Sequence, residues 1–280
     1  EAWIADLKKT LSSEAVKVSD ARIGVFYTAV RLSTGHVGVA FTPRGLAESV
    51  CCPRSAAAAP EAGKIRGQDA WQLSGYALTT SPLRRALGVA VLNALSALAM
   101  ASRPPAGVEV LRGADALDAA CVEREDTVAM VGGFTPFIKR LKGSVRELWI
   151  LDKHSEALNP DETLFWRSTE RAAEVLSKAS IVVMTGSALV EGGVDDLLAA
   201  ARRARKVVMA GPTASPWPLP FFERGVDVLG GIRILDGEKI LQIVSEGGSG
   251  YFFDEAAEKV CIVPESKIFQ PETQAVKSAP

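Results

Sequence analysis

The chain has 280 residues, 48% hydrophobic and 23% charged, which is ordinary globular composition and enough length for about two domains with cores of their own. Lysine and arginine number 32 against 33 aspartate and glutamate, so the formal net charge of -1 excludes a nucleic-acid binder built on massed phosphate contacts. The densest basic run, Arg202-Arg203-Ala204-Arg205-Lys206, falls at the end of an expected helix, where cations oppose the helix dipole. No apolar stretch is read as reaching the ~20 residues that span a bilayer, and no basic start leads into an apolar signal core. The expectation is a cytoplasmic protein with no membrane partner. Cys51, Cys52, Cys121 and Cys261 form no C-x-x-C pair, in keeping with a reducing compartment. Cys121 and Cys261 lie in apolar settings and read as small core residues.

The first elements in chain order are a helix over "AWIADLKKTL", with Trp3, Ile4, Leu7 and Leu11 on one face, then two β-rich runs, "ARIGVFYTAVRL" and "HVGVAFT". Ser33-Thr34-Gly35 between them is hairpin material. A small-residue stretch follows, and then "SPLRRALGVAVLNALSALAM" predicts a long helix capped by Ser81 with Pro82 in its first turn. The paired prolines of "SRPPAGVEV" suit neither a helix nor a central strand and place a domain boundary there.

Beyond it the rhythm changes. "TVAMVGG", "RELWILD", "SIVVMTG", "KVVMAGP" and "VDVLGG" are short apolar runs, separated by helical stretches such as "STERAAEVLSKA" and "VDDLLAAARRA". Such alternation is what βαβ crossovers produce, so the second half is expected to be a doubly wound parallel sheet. "EKILQIVSEGG" and "FDEAAEKVCIV" add a helix and an edge element. The division read from this is 1–104, 105–264 and a tail over 265–280.

In an open parallel sheet the ligand site lies beyond the carboxyl ends of the strands. Each expected strand here ends in small or polar residues: Gly132-Gly133-Phe134-Thr135, Asp152-Lys153-His154, Thr185-Gly186-Ser187, Gly211-Pro212-Thr213 and Gly230-Gly231. Glycines admit close approach to backbone and hydroxyls supply hydrogen bonds, although such residues are also plain turn chemistry. Five such turns on one rim, one inside the proline-stiffened "GPTASPWPLP", point to a ligand-binding rim. A dinucleotide fingerprint is absent, because "GGFTPF" is not G-x-G-x-x-G, and neither a P-loop nor a G-x-S-x-G elbow occurs. Of the two histidines, His36 is expected on the surface and His154 on the rim. Glu191, Asp195 and Asp196 favour the start of the next helix, and Glu191 has a site role as its alternative. Asn93, amid Val89, Val91, Leu92 and Leu95, must find partners either in its own domain or at an interdomain cleft.

The order "NALSAL", "VAMVGGF", "VVMTGSALVEGGVDDLL" and "VVMAGPTASPWPLPFFERGVDVLGG" resembles the heavy-metal chelation family, prokaryotic proteins otherwise described as of unknown function. The resemblance covers nearly the whole chain. It implies an α/β fold with an N-terminal α+β domain like the enolase N-terminal domain, a C-terminal Rossmann-like domain, and a site where the two meet. By position it puts Asn93, Gly132 to Thr135, Thr185 to Ser187 and Gly211 to Thr213 near that cleft, and the strand-end reading adds Asp152 as a candidate binding residue of the same rim. The family often has Asn-Gly-Thr after the third strand, where this chain has Glu191-Gly192-Gly193. The implied function is binding of a small molecule or metal complex, and Asp152, His154 and Glu191 are the candidate ligands of a metal ion cofactor. A tight soft-metal site wants thiolates and imidazoles, which are scarce here and support chelation only thinly. The alternative, from a different class, is a non-catalytic metal carrier or sequestering protein that uses Cys51, Cys52 and His154. Enzyme and binding protein both stay open, and apolar positions of the N-terminal hairpin suit a homodimer.

Overall fold

The protein is described by a computed structural model that covers residues 1–12, 15–43, 59–153 and 155–267. Cys51, Cys52 and His154 lie outside the described residues, as does the tail beyond Lys267.

The N-terminal half begins with the helix Ala2–Thr10, which buries Trp3 and Leu7. Three antiparallel strands follow in the order β1 (Val18–Ile23), β2 (Tyr27–Leu32) and β3 (Val37–Phe41). The run over residues 21–32, expected as one strand, is thus two. At Gly24 the backbone passes so close to the far half of the chain that an added Cβ would lie 2.2 Å from the Val244 carbonyl oxygen, and the chain reverses there with Gly24 N–H bonded to Tyr27 O. The Ser33-Thr34-Gly35 turn forms as expected, with Gly35 at φ 88°.

The helix Pro82–Ser102 starts as its sequence predicts: the Ser81 hydroxyl accepts the Arg84 N–H and Pro82 sits in the first turn. Every residue from Ala86 to Ser96 is buried. At 21 residues it is long and apolar enough to cross a membrane by length and composition, which corrects the reading that no stretch reaches that length, but here most of it is enclosed by the fold. Against β3 it approaches without side chains between, because a Cβ on Gly38 would lie 2.2 Å from Ala94 N.

The second half is an eight-stranded sheet: β4 (Val108–Arg112), β5 (Thr127–Val131), β6 (Glu147–Leu151), β7 (Trp166–Arg167), β8 (Ile181–Thr185), β9 (Lys206–Ala210), β10 (Val228–Ile234) and β11 (Ala257–Pro264). Their order is β4-β11-β10-β9-β8-β5-β6-β7, with β10 through β7 mutually parallel and β11 antiparallel to both neighbours. The fold is therefore α/β, as expected. The element expected at an edge, β11, is internal, because β4 pairs outside it. Alternate residues face opposite layers: Val128, Met130, Ile181 and Val183 pack with Phe137 and Ile138 on one side, while Ala129, Val182, Met184 and Met209 join the long helix and Leu176 on the other. At the base of the sheet, burial pushes the Asp126 carboxyl up. The Glu123 amide, the Ser180 hydroxyl and Arg205 outweigh that and hold it below the usual carboxylate range.

Two features lock the halves together. The helix Gly237–Ser245 leaves the parallel sheet and covers the outer face of the N-terminal one, burying Ile240, Leu241 and Val244 against Ala29, Val37 and Val39. On the inner side, the polar residues of the long helix reach the loop after β9. Asn93 Nδ2 donates to both Val39 O (2.8 Å) and Thr213 O (2.9 Å), and Thr213 Oγ1 accepts the Phe41 N–H (2.9 Å). Ser96 Oγ donates to Leu92 O and accepts from Trp3 Nε1 (3.0 Å) and Trp217 N (2.8 Å), so its one donor and two acceptor positions are all used.

Ser96→Ala would orphan two buried donors at about 1–3 kcal/mol each, so we expect a stability loss of about 2–5 kcal/mol. Urea denaturation checks this; a loss below about 1 kcal/mol would mean that other partners or water take over both groups.

Candidate functional site

The six strands β7-β6-β5-β8-β9-β10, renumbered along the chain, run 3-2-1-4-5-6, the doubly wound order whose topological switch point lies between its first and fourth strands. Here that is between β5 and β8, where the Gly132 and Thr185 turns meet. A Cβ on Gly132 would lie 2.8 Å from the Thr185 methyl, and one on Gly186 would lie 2.6 Å from Ala214 N, so both glycines serve close packing. Gly132 N–H bonds Leu151 O, Gly186 N–H bonds Ala210 O, and Thr185 Oγ1 accepts the Ser187 N–H at 3.3 Å. Thr213 is buried in the joint with β3 and the long helix.

Two of the three expected metal ligands are engaged by neighbouring groups, and the third, His154, lies outside the described residues. Asp152 Oδ2 accepts the Gly133 N–H (2.9 Å), while its carbonyl accepts Trp166 Nε1 (2.9 Å). The Glu191 carboxylate pairs with Lys153 at 2.7 Å. No group of three His, Cys, Asp or Glu side chains is placed to hold a metal ion among the described residues. Cys261 is buried, and burial together with Asp115 and Asp118 pushes its thiol up to about 12, so it is an inert core group. His36, expected on the surface, is half-buried and its ring lies 3.1 Å from Thr34 Oγ1.

The rim turns after β5 and β9 instead border an open cleft of about 540 Å³ beside the switch point. Phe134, Gly211 and Pro212, all three predicted from sequence, line it; Thr135, Asp152, Thr185 and Ser187 do not. Its opposite wall comes from the N-terminal sheet, through Phe26 and Tyr27 at the β1–β2 turn and Phe41 at the end of β3. Phe137, Tyr251 and Phe253 complete an aromatic lining, in which Phe134 and Phe137 lie 4.6 Å apart and Tyr27 and Phe253 5.0 Å apart between ring centroids. Asp115, Asp254 and Lys259 are the charged residues of the wall. Asp115 is engaged by Arg140 and the Leu117 N–H. Volume and character match small-ligand sites, which are mostly apolar and aromatic with a few polar groups. Sequence reasoning missed the N-terminal wall, although adjacent Phe26 and Tyr27 at a chain reversal were a usable signal: aromatic rings at a turn have no core of their own to enter.

A parallel sheet of doubly wound order, covered on both faces and capped by an antiparallel sheet and a helix so that an aromatic cleft opens on its carboxyl rim, defines a mixed α/β protein. Two family models, both described as "putative heavy-metal chelation", match the chain: DUF364 over residues 115–263 and DUF4213 over residues 4–96. The chain belongs to this family. It is 27% identical over 180 residues to an uncharacterized protein of Methanocaldococcus jannaschii, a match that covers 63% of this chain and 65% of that relative. The crystal structure of a DUF364-family protein of unknown function from Pyrococcus horikoshii superposes with a TM-score of 0.73 at 22% identity, covering 92% of this chain and 98% of that one. A second, from Desulfitobacterium hafniense DCB-2, gives 0.71 at 19% identity over 94% and 98%. At these identities the likeness is one of fold.

Within the cleft, burial and the neighbouring Tyr251 push the Tyr27 phenol from 10.0 up to about 12. The folded protein therefore favours the neutral phenol, and that contribution to stability is present below pH 10 and is lost as pH rises through about 12. An ultraviolet absorbance titration compared with Tyr27→Phe should show one late-ionising tyrosine. Ionisation of Tyr27 at its ordinary value would show that water reaches the phenol freely.

Proposed function

We propose that the protein binds a small organic molecule, or a metal complex enclosed by an organic ligand, in the aromatic cleft between its two halves. The observation that carries this reading is the cleft of about 540 Å³, because the rim of one half and the aromatic turn of the other both face it. Aromatic faces favour a flat, delocalised ligand through stacking, and Lys259 and Asp254 supply the charged contacts that orient it. The N-terminal unit of three strands and a long helix, read as the enolase N-terminal type, acts as the fixed lid of the site. A bare ion fits the described residues poorly, since Asp152 and Glu191 are committed elsewhere and no third ligand joins them. A metal held by its own chelating ligand reconciles the family description with this lining.

Native mass spectrometry of gently purified protein, with elemental analysis of the same sample, tests the reading. A stoichiometric organic mass, with or without metal, is the expected result, and Phe134→Ala combined with Tyr251→Ala should weaken its retention about tenfold or more. A stoichiometric metal with no organic mass, lost in a Cys51→Ser and Cys52→Ser variant, would overturn it in favour of a carrier.

A further inference from the structure

A second cavity, of about 620 Å³, lies behind the loop after β9, on the other side of the wall formed by Pro212, Gly231, Ile232 and Val260. Its floor is β10, β11 and β4, and its roof is the last two turns of the long helix together with the β2–β3 turn. Three observations about it are independent of the aromatic cleft.

The first is an unanswered acceptor. Asn93 lines this cavity and is 2% exposed, and its Oδ1 has no hydrogen-bond partner among the described residues. The orientation of the amide is settled by chemistry: Nδ2 meets two carbonyl oxygens, Val39 O and Thr213 O, and a flipped amide would set oxygen against both. Nδ2 has spent its two hydrogens, so the whole unmet demand is for a donor to Oδ1. Buried acceptors left without a partner are uncommon and call for an explanation such as a bound group.

The second is the lining, which is mainly apolar and has no Phe, Tyr or Trp, the His36 imidazole being its one aromatic ring: Val39, Met100, Val110, Ile232, Ile234 and Ile262 are among its larger hydrophobic members. Such a wall accepts a compact aliphatic or fused-ring body. The third is charge. Arg112 and Arg233 line the cavity, and their side chains are 66% and 47% exposed, which puts them at its solvent end. Both share one carboxylate, Glu258, at 3.9 and 2.5 Å, so one positive charge there is left uncompensated by this pairing.

We infer that this cavity is a separate binding site for a small amphipathic organic anion, with an apolar body against the long helix, its anionic group at Arg112 and Arg233, and an N–H or O–H group that meets Asn93 Oδ1 once the amide, whose oxygen is closed off in this structure, shifts toward the cavity. The shared wall of Pro212, Gly231, Ile232 and Val260 lies between this site and the aromatic cleft, yet the two take different chemistry: a flat ligand in the cleft, an aliphatic or compact anion here.

Anilinonaphthalene sulfonate is the probe, since it combines an apolar body, an N–H donor and an anion, and phenylnaphthylamine is the same molecule without the sulfonate. In a Phe134→Ala and Tyr251→Ala background, which disables the aromatic cleft, fluorescence titration should still show a saturable site, with the sulfonate binding about tenfold more tightly than the neutral probe. Ala97→Phe and Met100→Trp, each enlarging a half-buried residue of the helix wall, should each weaken binding about tenfold. Arg112→Gln combined with Arg233→Gln, both exposed and safe for folding, should bring the two probes to within about threefold of each other. Absence of saturable binding, binding indifferent to the arginine pair, or binding lost in Phe134→Ala but kept in a folded wall variant would overturn the assignment.

Discussion

The structure depends on how one apolar helix satisfies its two buried polar side chains. Pro82–Ser102 is buried along most of its length, so Asn93 and Ser96 are closed to bulk water, and protein groups answer all of their donors and acceptors except Asn93 Oδ1. Both find their partners in the loop after β9: Thr213 O for Asn93 and Trp217 N for Ser96. A misplaced loop would leave several buried donors unpaired at once, at a cost of the order of the net stability of a domain. These bonds therefore set where the N-terminal sheet lies on the carboxyl rim of the parallel sheet.

The proline-rich run "GPTASPWPLP" takes its meaning from the same joint. In isolation it reads as a stiffened binding loop. In the fold its Thr213 hydroxyl holds β3, its Ser215 hydroxyl receives the Ile232 N–H, and Trp217 Nε1 reaches Asp6 of the first helix at 2.6 Å. Stiffness serves the joint, because a loop that must present donors and acceptors to three neighbours loses less entropy if its conformers are few beforehand. Only Gly211 and Pro212, at its start, remain on the wall of the aromatic cleft.

The strand order is that of dinucleotide-binding sheets, but an order of strands is not a chemistry. The Thr185 methyl packs against Gly132 and the Ala214 backbone against Gly186. Displacing the ligand space sideways, toward β9, β10 and the capping sheet, replaces phosphate-binding amides with aromatic rings. That change of lining is the physical basis for expecting a flat organic ligand or a chelated metal in this family member.

Local pattern was enough to determine the long helix with its Ser81 cap, the β-turn at Gly35, the five βα repeats and the presence of glycine and hydroxyl turns on one rim. Those features follow from periodicity and backbone preference, which act over a few residues. Tertiary structure alone decided that residues 21–32 break at Gly24, that β11 is internal, and that Thr185, Gly186 and Thr213 fill space while Phe134, Gly211 and Pro212 face a cleft. It also decided that Phe26, Tyr27 and Phe41, distant in sequence, form the other wall. A turn glycine that admits a ligand and one that admits a neighbouring backbone obey the same local rules. Only the partner brought against it from far along the chain, here the Ala214 backbone for Gly186 and the edge of the Phe134 ring for Gly211, tells them apart.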